Sequence, residues 1–435
     1  MADIHYHLER PSPRARYIVQ QLLGRMTGWE AKEVGDLNAF RDIGGPKIMY
    51  GPTVVQGAFH IVPDGLLERP GISLLDPETS NWDALPVLFP LHHGDLPFDV
   101  FAASFFLLSR YEEIPLITRD THERPLTSAL HAARKGYLQR PIVDEWLIAL
   151  TEAWRTWDPR LPQLKRTYAQ VATLDVDNGA MYTGREWWRT IGGAARDLLS
   201  GRASRVTDRI AVLTRRRVDP YAVHEDFVAM AKRHDARAIV NFLLAPRGRY
   251  DHAVSATHAS VRRCMQAMDR EAEVGIHPGY ESSDHPTMLQ AQKAALEKVV
   301  GHAVTISRQH FLRFRLPDTY RELEQIGIRE EHSMGLSDRI GFRAGTCTPF
   351  PFYDLVEEHE TSLMIHPFVV MDSAMAYQMK LSPDAAIEAA QRMADAVRQV
   401  NGTFISVWHE RFLSDYGDEK GWGRVAEAVL KHARP

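Results

Sequence analysis

The seven residues Thr173-Leu174-Asp175-Val176-Asp177-Asn178-Gly179 place two carboxylates two positions apart at the end of an apolar run. That run, Tyr168 to Leu174, has β-branched and aromatic residues and no Gly or Pro, so it reads as a buried strand. Residues i and i+2 of a strand point the same way, so Asp175 and Asp177 leave it together. Two like charges that close repel unless a cation lies between them or one holds a proton. One carboxylate binding a metal ion while its neighbour handles protons meets that condition.

Other polar residues fall where further strands should end. His277 follows the run from Glu273, within Gly275-Ile276-His277-Pro278-Gly279-Tyr280-Glu281. Arg308-Gln309-His310 follows Ala303 to Ser307, and Arg343 sits in Gly341-Phe342-Arg343-Ala344-Gly345-Thr346. His366 precedes Pro367, with Asp372 beyond, and Trp408-His409-Glu410 closes the last apolar run. Neutral imidazoles with a carboxylate and no thiolate suit a divalent ion, zinc first among them. A second carboxylate, kept ionised by Arg308 or Arg343, could take a proton from water, and a distant His could protonate a leaving amine. Together these groups make an amide hydrolase.

The elements that must position these groups alternate along the chain. Strands are expected at Tyr168–Asp175, Ala238–Leu244, Glu273–His277, Ala303–Ser307, Ile326–Glu331, Ser362–Phe368 and Thr403–His409. Helical patterns separate them, among them His224–Arg233, Pro286–Val300 and Pro383–Val400. Seven strands with intervening helices imply a parallel sheet, and closure into a (β/α) barrel accommodates them with the chemistry at the strand C-termini. Residues 1 to about 160 differ in texture. They mix short strands (Lys47–Tyr50, Ala58–Val62) with a helix over Phe98–Glu113, whose terminal Arg110, Glu112 and Glu113 read as a solvated cap. Trp154, Trp157, Pro159 and Pro162 mark a linker. The expected architecture is α/β: an α+β accessory domain over 1–160, then a distorted barrel of about seven strands over 166–435.

Length and composition agree with two soluble domains. The 435 residues exceed one ordinary core, and 44% hydrophobic with 25% charged content is typical of globular chains. A net charge of −4 argues against a general nucleic-acid binder. Cys264 and Cys347 have no metal-ligand spacing, and two cysteines in so long a chain suit a reducing compartment. No basic-then-apolar leader begins the sequence and no run of 18 apolar residues occurs, so a cytoplasmic location without a transmembrane span is expected. One segment breaks the charge balance. Residues 185–217 hold nine arginines against Glu186, Asp197 and Asp208, interleaved with Trp187, Trp188, Ile191, Leu198, Leu199, Ile210 and Leu213. Either an amphipathic helix pair packs on the barrel there, or a lid grips a phosphate or a membrane surface.

Residues from about 166 to 435 resemble the catalytic domain of polysaccharide deacetylases, the fourth family of carbohydrate esterases. The resemblance is carried by Thr173–Asp177, Gly275–Tyr280, Ser307–Tyr320, Ser333-Met334-Gly335, Gly341–Thr346 and Trp408-His409, and Phe98–Glu113 resembles the associated N-terminal domain. It implies a divalent metal, usually zinc, and removal of N-acetyl groups from a glycan or glycan precursor. Asp175 then matches the catalytic base, Asp177 and His277 metal ligands, Arg308 the arginine that orients the base, and His409 the catalytic acid. Relatives place a second metal-binding His four residues after the first, where this chain has Glu281. Glu281, His285 or His310 could replace it, and His310, at an adjacent strand end, is favoured. Without an export signal, a phosphate- or lipid-linked N-acetyl sugar is the expected substrate. A glycoside hydrolase, with a second acid from Glu281, Glu331 or Glu410, and a non-catalytic glycan-binding barrel are the alternatives.

Overall fold

The computed structural model describes residues 3–115 and 117–435; Met1 and Ala2, where the reading for a leader begins, lie outside them. Residues 3–61 build a parallel sheet from β1 (Asp3–Leu8), β2 (Glu30–Glu33), β3 (Lys47–Tyr50) and β4 (Phe59–Ile61), in the order β2-β1-β3-β4. A hairpin of β5 (Thr79–Trp82) and β6 (Leu85–Leu88) follows. The helix Val100–Leu108 is shorter than its pattern suggested and buried at every position, with Asp99 capping its first turn. It stops because Arg110 adopts a left-handed conformation, φ 53°. A second helix, Ile142–Trp157, takes in Trp154 and Trp157 of the expected linker and ends before Pro159. Its apolar stripe seats Trp146 and Trp154 wholly inside the core.

The second sheet has nine strands: β7 (Ala169–Val176), β8 (Arg237–Leu243), β9 (Glu273–His277), β10 (Ile306–Ser307), β11 (Glu330–Glu331), β12 (Phe350–Asp354), β13 (His359–Ile365), β14 (Val370–Met371) and β15 (Thr403–His409). Their order is β12-β13-β11-β10-β9-β8-β7-β15-β14, and only β12 and β13 pair antiparallel. The seven expected strands are therefore joined by β12 and β14. Val171 of β7, Ile239 of β8, Ile306 of β10 and Ile405 and Val407 of β15 share one cluster with Phe368, so the sheet curls around its own apolar face. It does not close by strand pairing, as a barrel would: β12 and β14 are its two edges. The segment His366–Val369 runs between β13 and β14 instead, with the Val369 N–H donating to the Ile405 carbonyl at 2.9 Å.

Buried polar ties join this sheet to the N-terminal residues. The Tyr17 hydroxyl donates to the Pro351 carbonyl at 2.8 Å, and the Asp144 carboxylate accepts from Arg166 at 2.5 Å and from Thr346 at 2.7 Å. A third buried tie corrects an expectation. Arg343 is not beside Asp175: its guanidinium holds Glu113 through contacts of 3.0 and 2.7 Å, and Arg110 grips the same carboxylate at 2.8 Å. Glu113 and Arg110 are almost fully buried rather than solvated. The sequence could not show this, because the partner lies 230 residues away.

Burial would raise the Glu113 carboxyl, but Arg343 and Arg110 bring it down to about 2. The tie thus contributes stability that is present above the ordinary carboxyl range and lost as pH falls through about 2. Glu113→Gln leaves two buried guanidinium groups short of their counter-charge, and urea denaturation should show a loss of about 3–5 kcal/mol. A change below about 0.5 kcal/mol would show the pair to be dispensable.

Candidate active site

Asp175 and Asp177 sit at the C-terminal end of β7, both less than a tenth exposed. They receive different companions. Asp175 accepts from the Asn241 amide at 2.9 Å and faces the Arg308 guanidinium at 3.4 Å. Arg308 is itself fixed by the Thr173 hydroxyl at 2.6 Å and the His332 carbonyl at 3.0 Å. Burial acts to raise Asp175, but Arg308, His277 and His409 outweigh it and hold the carboxyl below its usual value. Gly275 is required for this arrangement: a Cβ there would lie 2.2 Å from the Asn241 side-chain oxygen.

Asp177 divides its two oxygens. Oδ2 accepts from Arg411 at 2.5 Å. Oδ1 is buried without a hydrogen-bond partner, and the Nε2 atoms of His277 and His310 stand 3.5 and 3.7 Å from it. These separations are longer than hydrogen bonds, yet near the ~3.3 Å between ligands of a tetrahedral ion bound at about 2.0–2.1 Å. Both imidazoles are oriented from behind. His277 Nδ1–H donates to the Arg308 carbonyl at 2.5 Å, and His310 Nδ1–H donates to Asp251 at 2.7 Å, which turns each Nε2 lone pair towards Asp177. The structure thus brings Asp177, His277 and His310 into one group able to hold a metal ion, whereas Glu281 and His285 are exposed. His310 is placed by an unusual turn in which Phe311 and Leu312 both take left-handed backbones, φ 60° and 53°. Such conformations cost about 1–3 kcal/mol each and persist at sites the surroundings over-determine.

His409, at the end of β15, lies across the cavity. Its Nδ1 pairs with Asp372 at 2.6 Å and its backbone N–H donates to the same carboxylate at 2.7 Å, leaving Nε2 for the cavity. The pocket measures about 220 Å³, below the ~300–1,000 Å³ typical of drug-sized ligands. Phe311, His122, Tyr377 and Met371 contribute its apolar walls. Trp408 and Tyr182, aromatic residues near in sequence to the site, are core side chains and do not line it. Glu410 turns away to receive the Asn178 N–H at 2.6 Å and the Gly179 N–H, pinning the loop after Asp177.

Sequence reading did not single out Arg411, Asp251, Asn241 or His122. Only Arg411 had a signal, its position two residues beyond His409. A second His–carboxylate group, Glu330, His332 and His366, occurs away from this cavity. Arg237 occupies its shared oxygen, Glu330 Oε2, at 2.9 Å, and the two rings stack 4.5 Å apart. Burial lowers His332 to about 3 and His366 to about 4, so these are neutral core histidines.

Residues 4–159 match the sequence model of a family of unknown function (DUF7033). No curated protein matches the chain by sequence. Among solved structures, a Mycobacterium smegmatis protein assigned as a polysaccharide deacetylase is similar at 14% identity. The likeness covers 61% of this chain and 84% of that one, with a TM-score of 0.39. A polysaccharide deacetylase from Bacillus cereus is similar at 12% identity over 61% and 86% of the two chains, TM-score 0.29. A pseudoenzyme of carbohydrate esterase family four from Bacillus anthracis is similar at 13% over 62% of each, TM-score 0.28.

Burial acts to lower His409, but Asp372, with Asp177 and Asp175 behind it, raises the imidazole to about 9. A proton needed on His409 is therefore present at neutral pH and lost as pH rises through about 9. Asp372→Asn should move the alkaline limb of the kcat profile towards the ordinary imidazole value of about 6.5. An unmoved limb would assign that titration to another group.

Proposed function

We propose that the chain is a metal-dependent hydrolase that removes an N-acetyl group from an amino sugar in a glycan or glycan precursor. The observation that carries this reading is the unpartnered Oδ1 of Asp177 facing two back-bonded histidines, beside a separately held carboxylate and an Asp-paired His. The donor set, one carboxylate and two neutral imidazoles, fits a divalent ion such as zinc. When bound, that ion supplies Lewis-acid polarisation of the amide carbonyl.

The chain's own residues divide the proton transfers. Asp175, kept ionised by Arg308, takes the proton from the attacking water. His409, protonated and aligned by Asp372, gives its Nε2 proton to the departing amine. Arg411 neutralises the half of Asp177 that faces away from the histidines. The resemblance in Thr173–Asp177 and Gly275–Tyr280 supports the same assignment. Glycosidic cleavage is supported less well: Glu331 is engaged by Tyr320 and Ser333, Glu410 by backbone amides, and Glu281 is exposed, so none offers a second acid across the cavity.

Asp177→Asn should empty the site of metal on elemental analysis. Asp175→Asn should keep the metal but lower acetate release from N-acetyl sugars by ~10²–10⁴-fold. Equal metal loss in both variants would refute this division of labour, and release of reducing ends in place of acetate would refute the reaction.

A further inference from the structure

The helices Trp187–Leu199 and Ala203–Leu213 leave their apolar faces uncovered. Eight of the fourteen large hydrophobic residues exposed among the described residues lie between 187 and 218, with Trp187 75% and Leu199 90% exposed. Scattered single residues of this kind are normal, but a contiguous set marks an interaction surface. On the first helix no residue is buried. Trp187, Trp188, Ile191, Leu198 and Leu199 share one arc of about a third of its circumference at helical spacing, and Arg189 and Arg196 both lie beyond one edge of that arc.

Charge selects the kind of surface that would cover it. Asp197 and Asp208 are taken up by Arg209 and Arg217. Arg189, Arg196, Arg215 and Arg216 form no ion pair among the described residues, and burial together with the like charge of Arg247 lowers Arg189. A hollow of about 370 Å³ is lined by Arg215, Arg216 and Arg217 beside the exposed Val218. Exposed tryptophan and aliphatic tips bordered by unpaired arginines fit the headgroup boundary of an anionic bilayer.

The pair is also tied to the segments that follow Asp177 and Arg411, two side chains of the cavity. Asp219 accepts the N–H groups of Met181, Tyr182 and Thr183 at 2.8, 2.9 and 3.0 Å. Tyr416, on the segment that leaves His409, donates to Asp208 at 2.7 Å, and the Arg209 guanidinium lies 4.6 Å over the Tyr182 ring.

We propose that residues 185–218 dock the protein on an anionic lipid surface and so direct the cavity towards lipid-linked N-acetyl sugars. The docking stands on the helix pair alone; the substrate class rests on the deacetylase reading above.

Sedimentation of the full chain with vesicles of phosphatidylcholine, alone or mixed with phosphatidylglycerol, tests the docking. The protein should bind the mixed vesicles, not the neutral ones, and release them as salt rises. Combining Arg189→Gln, Arg196→Gln, Arg215→Gln and Arg216→Gln should weaken binding by about 10²–10³-fold. Trp187→Ser with Leu199→Ser should weaken it as well, and both variants should hydrolyse a soluble N-acetyl sugar at the unaltered rate. Equal binding to both vesicle types, no binding, or wild-type binding by the arginine variant would overturn the docking. So would a dimer that Leu199→Ser disperses in a protein that ignores vesicles. Binding to mixed vesicles without acetate release from any N-acetyl sugar would support the docking and overturn the deacetylase reading.

Discussion

The site depends on keeping two carboxylates ionised, two residues apart and both buried, at the end of one strand. An uncompensated buried charge costs several kcal/mol, so neither Asp175 nor Asp177 can hold its charge there alone. The structure gives them separate partners: Asp175 has Arg308 and Asn241, and Asp177 has Arg411 on one oxygen with two imidazoles before the other. Because the partners differ, so do the chemical tasks open to the pair. A carboxylate wrapped by a guanidinium and an amide is a poor metal ligand. One with an oxygen facing two imidazoles is a good one.

Each partner is in turn fixed by a neighbouring strand. Arg308 leaves β10, is braced by Thr173 of β7 and the carbonyl of His332 after β11, and its own carbonyl orients His277 of β9. Gly275 of β9 leaves room for Asn241 of β8 to reach Asp175. Asp372, just past β14, holds His409 by both ring and backbone. These contacts run sideways across the sheet, which is why parallel strands in close register matter more here than closure of a barrel. Side chains locked by such supporting bonds stay within the few tenths of an ångström that catalysis requires.

The strands were readable because a parallel strand buried on both faces is a nearly continuous apolar run, and polar residues at its end stand out against it. That sufficed for Asp175, Asp177, His277, His310 and His409 as candidates. Choosing among Glu281, His285 and His310 for a place beside Asp177 needed the turn at Phe311 and Leu312, whose left-handed backbones no glycine announces. β12 and β14 were missed for different reasons. β12 pairs antiparallel and breaks the alternation with helices, and β14 is two residues long. Arg343 misled because a glycine-bounded Gly-Phe-Arg-Ala-Gly turn suggests a site, whereas its charge answers Glu113 from a distant part of the chain. Ion pairs between distant segments leave no local pattern, so Arg110 and Glu113 could equally have been solvent-facing.

The charge count around the cavity gives a further reason to favour a bound cation. Asp175, Asp177, Asp251 and Asp372 face the group of histidines, and Arg308 and Arg411 answer two of these four charges. With His277 and His310 neutral and His409 protonated against Asp372, one negative charge remains, which a bound cation offsets. Protons are the competing solution: burial acts against charge on His277, yet Asp175 and Asp177 raise its pKa, as Asp372 does for His409. On His277 a proton and an ion contend for the same lone pair, so metal affinity should weaken with acid. On His409 no such contest arises, because its Nδ1 is committed to Asp372 and its proton is held by a carboxylate outside the ligand group. The arrangement therefore lets one histidine stay protonated a short distance from two that must not be.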